Sequence, residues 1–234
     1  MKKESVHFVL DTQNRYAPNE KDHFEFPENV ALGTSRIGGH CLDVPPKFEY
    51  PGGCFMAQID LEALARISTS NLLPQTGFLF FFIDSSWREG LVQYYDCHRN
   101  TLERVSIFNE ELPELWFNGT LEDGVVIKEM KLAIEDVEDR FKEITYDEDE
   151  NEDDYDLEDR WDSFGGMQQS KMFGFYANCQ FSMEETLEVI KSDTEVLLQI
   201  GEDYTNEGSF TVLIDKEDLR SNSFEKAKFE WSGT

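Results

Sequence analysis

Residues 77–83 read Gly-Phe-Leu-Phe-Phe-Phe-Ile, and this run restricts the folds that are open to the chain. Side chains alternate between the two faces of a β-strand, so three phenylalanines face one way while Leu79, Phe81 and Ile83 face the other. A strand that is apolar on both faces belongs inside a sheet that is covered on both sides. The run is also far shorter than the roughly 20 residues that span a bilayer. We therefore expect a buried strand and no membrane-spanning segment.

Two parts of the chain repeat the same series of motifs. Each has a glycine turn, an apolar strand containing Gln-Ile, and a second apolar strand that opens with Gly and closes with Ile-Asp. In the first part these motifs are Ile37–Gly39, Phe55–Asp60 and Gly77–Asp84. In the second part they are Met172–Gly174, Val196–Gly201 and Gly208–Asp215. The loops differ in length while the strand content persists, as expected of a duplicated structural unit.

Helix signals are few. Apolar spacing predicts short helices at 60–67 and 183–190, and the second follows Ser182 as N-cap with Glu185 at the capping-box position. In residues 126–134 the apolar side chains at alternate positions indicate a half-exposed strand. We therefore predict an α+β, β-rich fold in which an internal duplication gives two related antiparallel sheet units with a few short helices.

The predicted organisation has four segments. They are an N-terminal segment (1–29), a first repeat half (30–134), an acidic insertion loop (135–165) and a second repeat half (166–234). Residues 135–162 hold 16 acidic and three basic side chains, a net charge of −13. The centre of the insertion, residues 147–156, has no aliphatic side chain and cannot bury enough apolar surface to offset its ordering entropy. We expect it to be an exposed, mobile loop.

The charge of the whole chain excludes several classes of function. There are 49 Asp and Glu against 21 Lys and Arg, which gives a net charge of −28. Such a surface repels phosphate, so we expect no binding to nucleic acid backbones and no docking on anionic membranes. The N-terminus has no apolar stretch of a signal peptide, so we expect a cytoplasmic protein with four reduced cysteines.

Three interpretations of the acidic insertion stay open. It is a solvated loop without a partner, a calcium-binding loop, or a surface that steers a basic protein partner towards the molecule. The match to an EF-hand loop is partial, because Glu152 stands where the turn needs Gly. For the third interpretation the candidate partner-binding residues are Asp147, Glu148, Asp149, Glu150, Glu152, Asp153, Asp154 and Asp156.

Other candidate chemistry is weak. The side chains of His40-Cys41, Cys54 and Cys97-His98 are of the types that bind zinc. However, the spacings of 13 residues from Cys41 to Cys54 and 43 residues from Cys54 to Cys97 match no known zinc-binding motif. No glycine-rich nucleotide loop occurs, and no local signature marks one cysteine as a nucleophile. We predict no metal, no cofactor and no catalytic residue.

Gln58 and Gln199 occupy the same place in the two repeats, inside apolar strands. Each amide could satisfy buried backbone groups near a turn. Alternatively, the two could line a ligand pocket between the repeats. Both interpretations stay open from the sequence.

Several motifs resemble those of the YwqG-like proteins. The motifs of the N-terminal half are Ser35–Gly39, Phe55–Leu61, Leu73–Asp84 and Val92–Tyr95, and those of the C-terminal half are Lys171–Gly174, Val196–Ile200 and Asp218–Trp231. The resemblance covers most of residues 30–231 and implies a bacterial cytoplasmic protein with a β-rich fold, in a family of domains of unknown function. Members are often encoded near secreted toxins, so it also implies an immunity role. The chain departs from the pattern at His40-Cys41, where the family usually has Pro, and at 205–208, where Gly-Asp-x-Gly is usual.

Together these features favour a non-enzymatic cytoplasmic binding protein, an immunity or antitoxin type that caps a basic toxin domain. The alternative is a small-molecule binding protein or enzyme with a pocket between the two repeats.

Overall fold

The computed structural model describes residues 1–16, 30–68, 70–84, 87–106, 121, 123–136, 166–206 and 208–233. Within these ranges the strands are β1 (Lys2–Leu10), β2 (Arg36–Ile37), β3 (Cys41–Val44), β4 (Cys54–Asp60), β5 (Phe78–Ile83), β6 (Gly90–Tyr95), β7 (Glu103–Ser106), β8 (Val125–Asp136), β9 (Lys171–Phe173), β10 (Thr194–Ile200), β11 (Ser209–Asp215) and β12 (Lys228–Ser232). The α-helices are α1 (Leu61–Ala65), α2 (Met183–Lys191), α3 (Glu202–Thr205) and α4 (Lys216–Arg220). Short 3₁₀ turns lie at Thr12–Asn14, Arg99–Thr101 and Phe224–Lys226. The prediction of a β-rich chain with a few short helices is confirmed.

Ten strands form one sheet in the order β12-β11-β10-β9-β1-β8-β2-β4-β5-β6, and β3 and β7 form a separate two-stranded sheet. All the paired strands run antiparallel. The two sheet units that the sequence predicts are therefore joined into one continuous sheet. The long strands β1 and β8 pair at its centre. We call β2, β4, β5 and β6 the first wing, and β9, β10, β11 and β12 the second wing.

The wings share backbone details. The pairing of β4 with β5 shifts register between Phe55 and Ala57, and the pairing of β10 with β11 shifts between Val196 and Leu198. In each wing the short strand faces the glutamine of the next strand, because Arg36 pairs with Gln58 and Lys171 pairs with Gln199.

The turns after the short strands also correspond. Gly38 and Gly39 have φ angles of 63° and 84°, and Phe173 and Gly174 have 62° and 83°. This left-handed region suits glycine, and at Gly174 an added Cβ would also lie 2.7 Å from the Glu135 carboxylate. Phe173 adopts the same backbone with a side chain that is 4% exposed.

The core explains why β5 is apolar on both faces. Leu79, Phe81 and Ile83 belong to the large core that both wings share. Phe78, Phe80 and Phe82 pack in a second cluster against residues that include Leu42 and Val44 of β3. The predicted two-sided burial of this strand is confirmed.

The two outer ends of the sheet approach each other. Trp87, beside β6, lies with its ring centroid 5.0 Å from that of Trp231 in β12 and 5.5 Å from that of Phe210 in β11. Tyr94 of β6 lies 5.9 Å from Phe224. The large core thus lies between the wings. Across the described residues, no helix has the length and apolar character needed to cross a bilayer.

Candidate functional site

Three cavities meet where β4 runs into α1, and all three are lined by Asp60 and Arg99. Their volumes are about 240, 450 and 550 Å³. The larger two fall in the range of small-molecule pockets, roughly 300–1,000 Å³. We call this region the Asp60 depression. It is a concave candidate site in the described part of the chain.

Asp60 is fixed by its place in the chain. It is the last residue of β4 and the N-cap of α1, where its Oδ1 accepts hydrogen bonds from the backbone N–H groups of Glu62 (3.0 Å) and Ala63 (3.4 Å). Its other carboxylate oxygen accepts from the guanidinium of Arg99. A carboxylate at a helix N-terminus satisfies N–H groups that have no partner within the helix. The Asp60 carboxylate is therefore an organising group of the depression.

Cationic side chains line the rim of the depression. The side chains of Arg66, Arg99 and Lys128 are 71%, 50% and 51% exposed. Each is ion-paired: Arg66 to Glu62, Arg99 to Asp60 and Lys128 to Asp11. The Arg66–Glu62 pair, in which both side chains are exposed, contributes little stability, about 0–1 kcal/mol. An anionic ligand could compete for these donors, so the rim can offer charge-assisted hydrogen bonds to a carboxylate or phosphate.

Gln58 lies in a buried charged network, which we call the first network. Its Oε1 accepts hydrogen bonds from the Arg36 guanidinium (3.1 Å) and from the backbone N–H of Asp43 (3.0 Å). Arg36 and Asp43 form an ion pair at 3.0 Å with both side chains fully buried, and Arg104 donates to the same carboxylate at 2.8 Å. Burial raises the pKa of Asp43, but the hydrogen bond from Arg104 and the charge of Arg36 outweigh it and leave that pKa below its usual value.

Gln199 has different partners. Its Nε2 donates to the backbone carbonyls of Gly166 (2.9 Å) and Gln169 (2.8 Å). Lys171, the basic residue that pairs with Gln199, is itself buried and donates to the Glu135 carboxylate at 2.8 Å. We call Lys171, Glu135 and their partners the second network.

The two glutamines lie on β4 and β10, which are separated by four strands in the sheet. No hydrogen-bond partner described above is common to both. Neither glutamine lines any of the three cavities of the Asp60 depression. Both amides satisfy backbone or charged groups in the interior. A shared pocket between them stays a prediction.

The cysteines and histidines considered for zinc lie in different places. Cys41 is in β3, Cys54 is in β4, and Cys97 follows β6 and lines the smallest cavity. Burial, with a smaller effect from Asp84, raises the pKa of Cys54 to about 12, and burial raises the pKa of Cys41 as well. Over the described part of the chain, no group of three or more His, Cys, Asp or Glu is arranged to hold a metal ion.

The acidic candidates from the sequence lie outside the described residues. The range 137–165, which is not among the described residues, contains the partial EF-hand match and all eight candidates: Asp147, Glu148, Asp149, Glu150, Glu152, Asp153, Asp154 and Asp156. Their role stays a prediction.

The described fold exposes a second acidic surface, which we call the α2 acidic face. It consists of the exposed residues Glu184, Glu188, Asp193, Asp215 and Glu217. Helix α2 buries Thr186 and Ile190 and turns its glutamates outward. The Lys216 N–H donates to the Asp193 carbonyl at 2.9 Å, which joins the turn after α2 to the start of α4. The sequence analysis missed this surface, although the i, i+4 spacing of Glu184 and Glu188 on an amphipathic helix was the available signal.

The comparisons with known proteins give a family and no activity. A family model described as "Domain of unknown function (DUF1963)" matches residues 35–232. No curated protein matches the chain. The matched range includes both wings and most of the residues that line the Asp60 depression. The chain therefore belongs to the DUF1963 family of domains of unknown function.

Proposed function

We propose that the protein is a non-enzymatic cytoplasmic binding protein of the YwqG-like type, which caps a basic protein partner such as a toxin domain. The observation that carries this proposal is the distribution of charge in the described fold. Five basic side chains form ion pairs with buried carboxylates, and they are those of Lys3, Arg36, Arg104, Lys171 and Lys216. The α2 acidic face, by contrast, is exposed. These five basic residues thus neutralise carboxylates of the interior, which leaves a negative excess among the other charged residues of the chain.

An excess of this sign favours encounter with a basic surface. Clustered charge raises association rates and disfavours partners of like charge, with a strong dependence on ionic strength. A nuclease or other toxin that binds phosphate through a basic groove would be blocked when acidic side chains occupy that groove. The α2 acidic face and the acidic insertion are two separate candidates for this contact.

The first test is genetic. Deleting the gene should make the cell sensitive to the product of a neighbouring toxin gene, and restoring it should protect the cell. Unchanged sensitivity would exclude the immunity role. A pull-down from the native cell then supplies the partner for binding measurements.

The second test separates the two acidic surfaces. With that partner, a Glu184→Gln/Glu188→Gln variant should be compared with a Glu89→Gln/Glu103→Gln control, which has the same charge change away from the α2 acidic face. A variant lacking residues 145–160, which removes a net charge of −9, should be measured beside them. We expect the variant at the true contact to bind about tenfold more weakly at low salt. Equal affinities for all variants, or affinity that does not depend on salt, would remove the electrostatic part of the proposal.

We also infer that the two wings descend from an internal duplication. This inference is supported by the shared register shifts, the matching left-handed turns, and the serine before each short strand. Ser35 Oγ accepts a hydrogen bond from the Asp60 N–H, and Ser170 Oγ accepts from the Gly201 N–H, both at 2.9 Å. An alignment of relatives in which the two halves match each other better than chance would test it.

The Asp60 depression favours a second candidate function, the binding of a small anionic molecule. Its two larger cavities and the exposed guanidiniums of Arg66 and Arg99 support this candidate. Calorimetry with inorganic phosphate and with a dicarboxylate should give heat that is lost in Arg66→Gln and kept in Arg220→Gln, a control at an exposed position of α4. Absence of heat with both anions would leave binding of a basic protein as the single proposal.

A further inference from the structure

The three cavities of the Asp60 depression differ in the charge of the side chains that line them. With histidine counted as neutral, the cavity of about 550 Å³ is lined by equal numbers of acidic and basic side chains. The cavity of about 240 Å³ has a net charge of −2, because its lining has three carboxylates and one guanidinium, those of Asp60, Glu62, Asp96 and Arg99. We call this smallest cavity the acidic cavity.

The cavity of about 450 Å³ has the opposite sign, and we call it the basic cavity. Its net charge is +1, because its lining has three cationic side chains and two carboxylates, those of Arg66, Arg99, Lys128, Asp60 and Glu129. Asp60 and Arg99 line both cavities and form an ion pair with each other. The sign of the charge therefore changes across one ion pair, which favours a ligand that carries both signs itself.

The acidic cavity suits an ammonium group. The Asp96 Oδ1 accepts a hydrogen bond from the Thr76 hydroxyl at 3.1 Å, and an ionised carboxylate has acceptor sites beyond that one. Carboxylates make their stronger hydrogen bonds with charged donors. Phe78 lines the same cavity, and an aromatic ring attracts a cation that lies over its face. We therefore expect the acidic cavity to bind a positively charged group.

The corresponding place in the second wing is filled by the chain itself. Gly201 is the N-cap of α3, as Asp60 is the N-cap of α1. An added Cβ at Gly201 would lie 2.4 Å from the Met167 carbonyl oxygen, and the Asp203 N–H donates to the Gln168 carbonyl at 3.0 Å. In the first wing the Asp60 side chain caps the helix instead, and the cavities lie beside it. The depression is therefore a departure of the first wing from a packed arrangement in the second.

We propose that the Asp60 depression binds a small zwitterion, an amino acid whose ammonium group enters the acidic cavity and whose carboxylate contacts Arg66 in the basic cavity. The two charges lie on opposite sides of the Asp60–Arg99 pair, so several carbon atoms separate them. A plain anion meets repulsion in the acidic cavity, and a plain cation meets repulsion in the basic cavity. This inference rests on the second candidate function, the binding of a small anionic molecule, and names the class of that molecule.

Calorimetry with the full chain at low salt tests the class of ligand, with 4-aminobutyrate, butyrate and butylamine as probes. We expect 4-aminobutyrate to bind about tenfold more tightly than either probe of single charge, because it alone has a group for each cavity. Free glycine, whose two charges are adjacent, should bind more weakly than 4-aminobutyrate. Equal affinities for 4-aminobutyrate and butyrate would overturn the proposal, and so would glycine that binds as tightly as 4-aminobutyrate.

The anions used to test the candidate function separate its failure from the failure of this inference. If phosphate or the dicarboxylate binds while 4-aminobutyrate binds no better than butyrate, the inference is wrong and the candidate function stands. If 4-aminobutyrate binds while neither anion does, the inference stands and the candidate function narrows to zwitterions. Absence of heat with every probe would exclude both.

Asp96→Asn tests the place of the ammonium group. It removes one negative charge from the acidic cavity and keeps a side-chain oxygen for the Thr76 hydroxyl. We expect the preference for 4-aminobutyrate over butyrate to fall from about tenfold to about threefold or less, with the affinity for butyrate unchanged or higher. Glu225→Gln, at an exposed site outside the lining of the three cavities, has the same charge change and should keep the preference. Circular dichroism checks that both variants are folded. An undiminished preference in Asp96→Asn would contradict the proposed placement.

Discussion

The two wings place a buried basic residue opposite a buried glutamine, but they neutralise it in different ways. In the first wing, Asp43 of β3 serves both Arg36 and Arg104. In the second wing, Lys171 pairs with Glu135 of the central strand β8. The first network thus depends on a carboxylate from the separate small sheet, and the second depends on one from the main sheet. The position of the basic residue is the same in the two wings, while its carboxylate partner comes from a different element in each.

This difference predicts the most damaging substitution in the interior, Asp43→Ala. It leaves two arginines, one of them fully buried, without their shared carboxylate. Removing one partner of a buried pair typically costs 3–5 kcal/mol, so we expect the free energy of unfolding to fall by about 4 kcal/mol. Urea denaturation measures it, with Asp96→Ala at an exposed site as the control. A loss comparable to that of the control would show that Arg36 finds another partner.

Lys171→Met probes the second network in the same way, and we expect a smaller loss. The Glu135 carboxylate keeps the Phe175 N–H at 2.8 Å, and His7 lies 3.3 Å away. These remaining partners reduce the cost of the unpaired charge, so the free energy of unfolding should fall by about 3 kcal/mol. Both variants should be measured in the same urea series. A larger loss of unfolding free energy for Lys171→Met than for Asp43→Ala would contradict the predicted order.

The wings differ again just after their glycine turns, where His40 in the first corresponds to Phe175 in the second. Burial lowers the pKa of His40 to about 4, against a small opposing effect of Asp123. The unfolded chain, with a histidine pKa of about 6.5, therefore binds a proton in a range where the folded chain does not. This contribution to stability is complete above pH 6.5 and is lost as the pH falls towards 4.

The expected size of this effect is about 2 kcal/mol between pH 6.5 and 5, from 1.4 kcal/mol per pKa unit. His40→Phe, which copies the second wing, should remove this part of the pH dependence. Urea unfolding at the two pH values measures the difference, and His98→Phe at an exposed site controls for loss of a histidine. Equal pH dependence in wild type and His40→Phe would mean that folding leaves the pKa of His40 unchanged.

How much of the fold could be predicted from the sequence depended on how far apart in the chain the interacting residues are. The burial of β5 on both faces and the capping box at Ser182 were predicted correctly, because alternation and capping are local patterns. The pairing of β1 with β8 was not predicted, because it joins residues more than a hundred positions apart and the sequence of neither strand identifies the strand it pairs with. The joining of two sheet units into one sheet follows from that pairing.

The buried networks were missed for a related reason. Arg36 and Lys171 look like ordinary surface residues, and the sequence analysis used the Ser35–Gly39 and Lys171–Gly174 motifs for resemblance alone. Their place just before each glycine turn was a usable signal, because a basic residue that recurs at the same point of a repeat indicates that each copy has an acidic partner. The identity of the partner, Asp43 or Glu135, depends on tertiary packing and could not be predicted.

The smallest expected effect is the difference between the two glutamines. Gln58→Ala leaves the Asp43 N–H and one contact of the Arg36 guanidinium unsatisfied, whereas Gln199→Ala leaves two backbone carbonyls without that donor. Both changes remove the same atoms from a fully buried site, so the cavity cost is similar. Hydrogen bonds to charged groups are the stronger ones, so Gln58→Ala should cost about 1 kcal/mol more. Parallel urea titrations of Gln58→Ala, Gln199→Ala and Gln58→Glu test this difference. Gln58→Glu keeps an acceptor for Arg36 and should recover part of the lost stability. If Gln199→Ala is as unstable as Gln58→Ala, the neutral glutamine of the second wing contributes as much as the glutamine that contacts a buried charge.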